Sequence, residues 1–95
     1  MKINGKNITV TNIQKNNITI TSPTGWVLDG DIYSYQYNDV DIIATSLINI
    51  IPENSTIDIV IEAQILPEID IYNGYCKIYS INIPSGNFLI TVNIS

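Results

Sequence analysis

The stretch that decides the fold is ILPEIDIYNGYCKIYSI, residues 65–81. Asn73-Gly74 lies at its centre, with a run of apolar residues on each side. An Asn-Gly pair in this setting favours a two-residue type I′ turn, because both turn positions need a positive φ. Such a turn predicts three cross-strand pairs: Tyr72 with Tyr75, Ile69 with Ile78, and Asp70 with Lys77. The last pair has opposite charges, which stabilises one register of a β-hairpin.

Apolar residues alternate with polar ones over much of the remaining chain. Isoleucine occurs 22 times, and β-branched side chains pack well on a pleated surface. In the N-terminal part, Ile8 and Val10 and then Ile18 and Ile20 read as two strands, which the polar stretch QKNN (14–17) can close into a hairpin. Near the end, residues 88–94 alternate again. Short strands separated by turn residues predict an all-β fold.

Residues 55–65 are ambiguous. Apolar residues at 57, 59, 61, 63 and 65 fit a strand, which local propensity favours. Ser55 and Asp58 have capping-box spacing, and a helical stripe would contain Ile57, Val60, Ile61 and Ile65.

The 95 residues are enough for one domain with a modest core. The prediction is an antiparallel β-sandwich with one short helix near residues 55–64 as the alternative to a strand. Its body is expected to span residues 26–95, after the break at SPTG (22–25). Residues 1–25 are expected to form an N-terminal hairpin or a docking arm.

Composition disfavours several classes of protein. A net charge of −5 has the wrong sign for binding nucleic acid or anionic lipid. No segment is apolar for the 18 or so residues of a membrane span, and the N-terminus lacks the apolar stretch of a signal peptide. We therefore expect no nucleic-acid partner, no membrane insertion and no secretory export. The single cysteine, Cys76, excludes an internal disulfide and is expected to pack as a small apolar side chain.

The chemistry of catalysis and metal binding is limited by the absence of histidine, which rules out Ser-His-Asp and Cys-His arrangements. Acids do recur two residues apart, and on a strand Asp39 and Asp41 would have a separation of about 6.6 Å, which suits an inverting glycosidase. The alternative is a half-buried strand with Val40 and Ile42 inward and the two acids in water. We expect this alternative, and hence no enzyme, no cofactor and no metal. Asp29 and Asp31 around Gly30 are too few for a calcium loop and read as a turn.

Three tyrosines, Tyr33, Tyr35 and Tyr37, occupy alternate positions in residues 30–42 and so share one face of a strand. If that face is covered, the rings belong to a core or a subunit interface. If it is exposed, the rings form a patch suited to a cell-surface glycan, with Asp29 and Asp31 as polar contacts. The covered alternative is the expectation, and the glycan-binding module is the second hypothesis.

The C-terminal strand carries the functional prediction. No charged residue occurs from Ile78 to Ser95, and an apolar strand without charges recruits other chains when its edge is exposed. Either the strand lies in the centre of a sheet, or a symmetric assembly covers it. The predicted interface residues are Phe88, Leu89, Ile90, Val92 and Ile94.

The order of several residues resembles a small β-sandwich domain of phage and prophage tail-appendage proteins from low-G+C Gram-positive bacteria. The residues that carry the resemblance are Trp26, Tyr33-Ser34, Ile50-Ile51-Pro52, Ala63, Gly74, Tyr79-Ser80, Pro84 and the run Phe88 to Ile94. It covers residues 26–95, and Ile32 and Ser80 depart from the pattern. The resemblance implies a helix around 55–64, a homotrimer, other virion proteins as partners and a structural or host-attachment role in a tail fibre, baseplate or head fibre. The expected location is then the virion, or the host cytoplasm before assembly.

Overall fold

The computed structural model describes residues 2–3, 6–7 and 12–95. Two short strands near the N-terminus, β1 (Lys2–Ile3) and β2 (Lys6–Asn7), pair with each other. The later strands, in order, are β3 (Ile13–Ile20), β4 (Trp26–Asp29), β5 (Ile32–Asn38), β6 (Ile48–Pro52), β7 (Ile65–Tyr72), β8 (Tyr75–Ser80) and β9 (Phe88–Ile94). The predicted strand at Ile8 and Val10 lies outside the described residues.

Two antiparallel sheets pack together, which confirms the predicted β-sandwich. One has the order β3-β9-β6 and the other the order β4-β5-β8-β7. Since β3 is a member of the first sheet, residues 13–20 belong to the sandwich although they precede the expected boundary at 26.

The predicted hairpin is formed by β7 and β8. All three predicted pairs occur: Tyr72 with Tyr75, Ile69 with Ile78, and Asp70 with Lys77. The two-residue turn is present, but it is not type I′: Gly74 has φ +86°, whereas Asn73 lacks the positive φ that type I′ needs. A positive φ at the second central position alone is the pattern of a type II turn. A bulge between Ile65 and Ile69, next to Pro67, interrupts the pairing of β7 with β8 at the end of the hairpin far from the turn.

The predicted N-terminal hairpin at QKNN is wrong. Residues 14–17 lie inside β3, which pairs with β9 from Ile13 to Ile20. A bulge between Lys15 and Ile18, with Asn17 at φ +56°, absorbs the polar stretch without reversing the chain. Asparagine tolerates this left-handed conformation better than most residues, so a turn-like sequence here bends a strand.

The ambiguous stretch is helical. A 3-10 turn (Asn54–Thr56) leads into the helix α1 (Ile57–Ala63), which ends at Gln64 in the left-handed conformation. The Ser55–Asp58 capping box is not formed, because Thr56 is the N-cap and makes no side-chain cap. Instead, the Thr56 hydroxyl accepts a hydrogen bond from the Leu89 N–H at 2.9 Å, which ties the helix start to β9. The buried helix residues are Val60 and Ala63, whereas Ile61 is exposed.

The core lies between the sheets, and β9 runs through its centre. Phe88, Ile90, Val92 and Ile94 are all at most 3% exposed, because β9 has a partner strand on each side and the second sheet beneath it. These side chains are therefore buried by other residues of the same chain. The prediction that these four residues form a subunit interface is therefore corrected, while Leu89 points to the opposite face and is half-buried.

Candidate functional site

The predicted tyrosine stripe faces the core. Tyr33, Tyr35 and Tyr37 are half-buried and pack against the buried cluster between the sheets. The Tyr35 ring lies 5.4 Å from the Trp26 ring, and Gly25 leaves no room for a side chain beside it, since an added Cβ would lie 2.6 Å from Tyr35 Cε2. This placement favours the packed alternative over a glycan surface made by these rings.

The two predicted polar contacts of that surface lie at the tip of the β4–β5 hairpin. Asp29 and Asp31 are exposed on either side of Gly30, whose φ is +66°. The turn predicted from their sequence is thus present. Across the described ranges, no group of three cysteine or acidic side chains converges to hold a metal ion.

An ion-pair clamp joins the two sheets at Lys15 and Asp39. Lys15 Nζ lies 2.7 Å from Asp39 Oδ2 and 2.8 Å from Asp41 Oδ2. Asp39 also accepts hydrogen bonds from the Tyr37 hydroxyl at 2.8 Å and from the Asp41 N–H at 3.0 Å. Its side chain is 4% exposed, against 41% for Asp41. Each oxygen of the buried carboxylate is therefore matched by donors.

The clamp fixes the charge state of its members. Burial opposes ionisation of Asp39, but the hydrogen bonds from Lys15, Asp41 and Tyr37 outweigh it and lower the pKa of the carboxyl. Hydrogen bonds to Asp39 and Asp41 raise the pKa of Lys15. Burial, with the hydrogen bond to Asp39, raises the pKa of Tyr37 to about 12. At neutral pH the carboxylate is ionised, the ammonium is protonated and the phenol is neutral.

This geometry differs from the strand predicted for residues 39–42. β5 ends at Asn38, and Asp39 is buried while Val40 is 92% exposed, the reverse of what was expected for these two residues. Ile42 is buried and Asp41 is exposed, as expected. A glycosidase needs a carboxyl group whose pKa is raised so that it can donate a proton. Asp39 has a lowered pKa and an ammonium partner, so its chemistry here is that of a structural ion pair.

The outer side of the three-stranded sheet carries no charged side chain along its strands. Lys15 is the one charged residue in β3, β6 and β9, and its ammonium is held by the clamp on the inner side. We call this outer side the uncharged face, and its residues are Gln14, Asn16, Thr19, Asn49, Ile51, Leu89, Thr91 and Asn93. Glu53, which follows β6, donates its backbone N–H to Leu89, and its carboxylate lies 2.8 Å from the Asn17 amide of β3, so one end of this face carries a negative charge.

Three amide side chains form a row across this face. Asn93 is the cross-strand partner of Gln14 on one side and of Asn49 on the other. Beside the row is a shallow cavity of about 350 Å³, which these amides line together with Asn12 and Leu47. The face therefore combines paired hydrogen-bonding groups with exposed apolar residues such as Ile51.

The edges of both sheets are protected against addition of a further strand. β3 has its bulge, β7 has a bulge and Pro67, β6 ends at Pro52, and β4 has four residues and ends at Asp29. Bulges, prolines and short charged strands are the usual means of preventing edge pairing. Any association of this domain is thus more compatible with its faces than with its edges.

The outer side of the four-stranded sheet carries the other three tyrosines. We call it the outer tyrosine face, formed by Tyr72, Tyr75, Tyr79, Gln36, Asn38, Asp70 and Lys77. The rings of Tyr72 and Tyr75 stack with centroids 4.7 Å apart, and the Tyr79 hydroxyl donates to the Asp70 carboxylate. Sequence reasoning missed this face, although the predicted hairpin register already places Tyr72 and Tyr75 side by side.

No helix in the described part of the chain is long and apolar enough to cross a membrane. Comparisons of the chain with family models, with curated proteins and with solved structures found no match.

Proposed function

We propose that this protein is a non-enzymatic structural domain that associates with further copies of itself through the uncharged face. The observation that carries the proposal is the contrast between that face and the net charge of the chain. Copies with a charge of −5 repel one another, and the repulsion is smallest where each presents a surface with few charges, such as this face with Glu53 at one end. The central part of protein interfaces is also depleted of charged residues.

The side chains of the uncharged face suit contact with an identical surface. Amides both donate and accept hydrogen bonds, so the row of Gln14, Asn93 and Asn49 can meet the same row of other copies around a shared symmetry axis. Ile51 is 47% exposed and Leu47 is 72% exposed at the rim of the adjacent cavity, and both would lose contact with water on association.

The biological setting comes from the resemblance of residues 26–95 to the tail-appendage domain. On that basis, the assembly is a homotrimer within a virion appendage such as a tail fibre, baseplate or head fibre, with other virion proteins as its neighbours. The protein would reside in the virion, or in the host cytoplasm before assembly.

The test is the mass of the protein in solution, measured by light scattering after size-exclusion chromatography at several concentrations. We expect a multiple of the 10.6 kDa chain mass, and three copies if the trimer is right. Asn93→Asp is nearly isosteric and places a carboxylate in the centre of the face, so it should shift the mass towards that of one chain.

Asn38→Asp on the other sheet is the matched control, because it makes the same change on an exposed strand residue away from the uncharged face. It should leave the mass unchanged, and circular dichroism should show both variants folded. A single-chain mass at every concentration would refute self-association. If the multimer survives Asn93→Asp but dissociates in Val40→Ser, the proposal is wrong about the surface, and the interface lies at the loop of residues 39–47.

A further inference from the structure

We propose that the outer tyrosine face is a binding site for a neutral oligosaccharide. This site lies on the opposite sheet from the uncharged face, so the inference does not depend on self-association. Its basis is the arrangement of aromatic and hydrogen-bonding side chains on β5, β8 and β7.

Aromatic and polar rows alternate on this face. The strand register places Asn38, Tyr75 and Tyr72 side by side in one row, and Gln36, Lys77 and Asp70 in the next. Tyr79, two residues further along β8, begins a third row opposite Ser34. Tyr75 and Tyr79 are four residues apart, or about 13 Å along the strand. The face is long enough for several linked sugar rings.

The Tyr79 ring is held across the surface of the sheet. Its hydroxyl reaches Asp70, which lies on the neighbouring strand opposite Lys77 rather than opposite Tyr79. A side chain that leans this way along the sheet presents one ring face outward. The hydrogen bond to Asp70 raises the pKa of the Tyr79 hydroxyl, so the phenol stays neutral over the physiological range.

The remaining groups match the chemistry of sugars. The C–H faces of a sugar ring pack on aromatic rings, which here are apolar surfaces with a polar tip. Sugar hydroxyls both donate and accept hydrogen bonds, and Gln36 and Asn38 offer amides of both kinds, already joined to each other at 2.8 Å.

The charges disfavour an acidic ligand. Asp70 and Lys77 are cross-strand partners of opposite sign, and Asp29 of β4 is close enough to Tyr79 to help raise its pKa, which leaves this side of the sheet with a small negative charge. An anionic glycan would in addition meet the net negative charge of the whole chain.

A purely structural role for these tyrosines is the competing explanation, because aromatic cross-strand pairs stabilise hairpins. The experiment must therefore separate binding from stability. It uses two chains, the unaltered protein and the Asn93→Asp variant. The substitution is on the opposite sheet, so the outer tyrosine face is the same in both, whether or not the protein assembles.

The probes are cellohexaose, maltohexaose and the hexamer of N-acetylglucosamine, each titrated into isotopically labelled protein and followed by amide chemical shifts. We expect at least one probe to shift amides within residues 34–38 and 70–79 and to leave the uncharged face unaffected. Tyr79→Ala and Tyr72→Ala should each weaken binding about tenfold. Tyr79→Phe keeps the ring and should bind within about threefold of the unaltered chain.

Leu28→Ala, an exposed residue on β4 outside the face, is the control and should bind normally. The inference is overturned if none of the three probes binds, if the shifts map elsewhere, or if the folded Tyr79→Ala and Tyr72→Ala chains bind as well as the control. None of these results bears on self-association, which the mass measurement tests separately.

Discussion

Lys15 Nζ lies 2.7 Å from Asp39 Oδ2, and this ion pair connects β3 of one sheet to the end of β5 in the other. Twenty-four residues separate the two partners in the chain. Lys15 is still in register with Val92 of β9, and the bulge begins directly after it, so the cation that connects the sheets comes from the last paired residue before the ladder is interrupted.

Loss of this clamp should destabilise the fold. Asp39→Asn removes the buried charge and leaves Lys15 without its closer partner, which we expect to lower the free energy of unfolding by about 2–4 kcal/mol. Asp41→Asn is the matched control, because that carboxylate is 41% exposed and should contribute about 1 kcal/mol or less. Urea denaturation measures both, and equal effects would contradict a special role for Asp39.

The pH dependence of stability follows from the same group. The pKa of Asp39 is lowered in the folded protein, so its stabilising effect is present above about pH 4 and is lost as the pH falls through the folded-state pKa. Tyr37, with its pKa raised to about 12, stabilises the fold below about pH 10 and loses this effect as the pH rises towards 12.

We therefore expect a plateau of stability between about pH 5 and pH 9, since the chain has no histidine to titrate there. Urea denaturation from pH 2.5 to pH 11 would measure it. In the Asp39→Asn variant the free energy of unfolding should fall less steeply as the pH drops below the plateau. In the Tyr37→Phe variant it should fall less steeply as the pH rises above the plateau. If Asp39→Asn leaves the loss of stability at low pH unchanged, other carboxylates determine the acid sensitivity of the fold.

Two glycines should respond differently to alanine. Gly74 has φ +86° with open space around it, so Gly74→Ala should cost about 1 kcal/mol for the left-handed backbone alone. Gly25 has φ +92°, and an added Cβ would also meet the Tyr35 ring, so Gly25→Ala should cost about 2–4 kcal/mol. Thermal unfolding of the two variants compares them directly, and a larger effect at Gly74 would contradict the close packing at Tyr35.

Tyr35 tests whether the stripe at residues 33–37 belongs to the core. Tyr35→Ala should lower the free energy of unfolding by about 3 kcal/mol, because the ring packs on Trp26. Tyr72→Ala, on the outer tyrosine face, should cost about 1 kcal/mol or less. A mild effect of Tyr35→Ala would place that ring in a less packed environment than we describe.

Cys76 should be unreactive in the folded protein. Its side chain is 0% exposed, and burial raises the pKa of the thiol to about 11, so the reactive thiolate is scarce at neutral pH. Iodoacetamide should modify it only as fast as the protein unfolds. Rapid modification at pH 7 without denaturant would refute this burial.

The sequence predicted best where the controlling interaction was local. Asn73-Gly74 marks a two-residue turn between two apolar runs, and every predicted pair is present, although Asn73 does not adopt the positive φ of a type I′ turn. Prediction failed where a distant partner decided the outcome. Asp39 is buried and Val40 exposed because the partner of Asp39 is Lys15, which no local pattern reveals.

Residues 57–63 show a second limit of prediction from the sequence. Their apolar spacing fits both a strand and a helix, and what favours the helix is the packing of Val60 and Ala63 and the contact of Thr56 with β9. The candidate surfaces have the same limitation. Alternation identifies that three tyrosines share a face, but only the order of the strands tells which tyrosines point inward.

The central position of β9 also bears on how the domain is made. The ribosome releases β3 and β6 before the strand that joins them, so the three-stranded sheet cannot close until translation reaches residue 94. The four-stranded sheet is complete in the chain by Ser80 and can form first, leaving its inner face without a cover in the meantime. A nascent chain paused between these points would expose the apolar residues most prone to aggregate, which makes the synthesis of residues 88–94 decisive for yield.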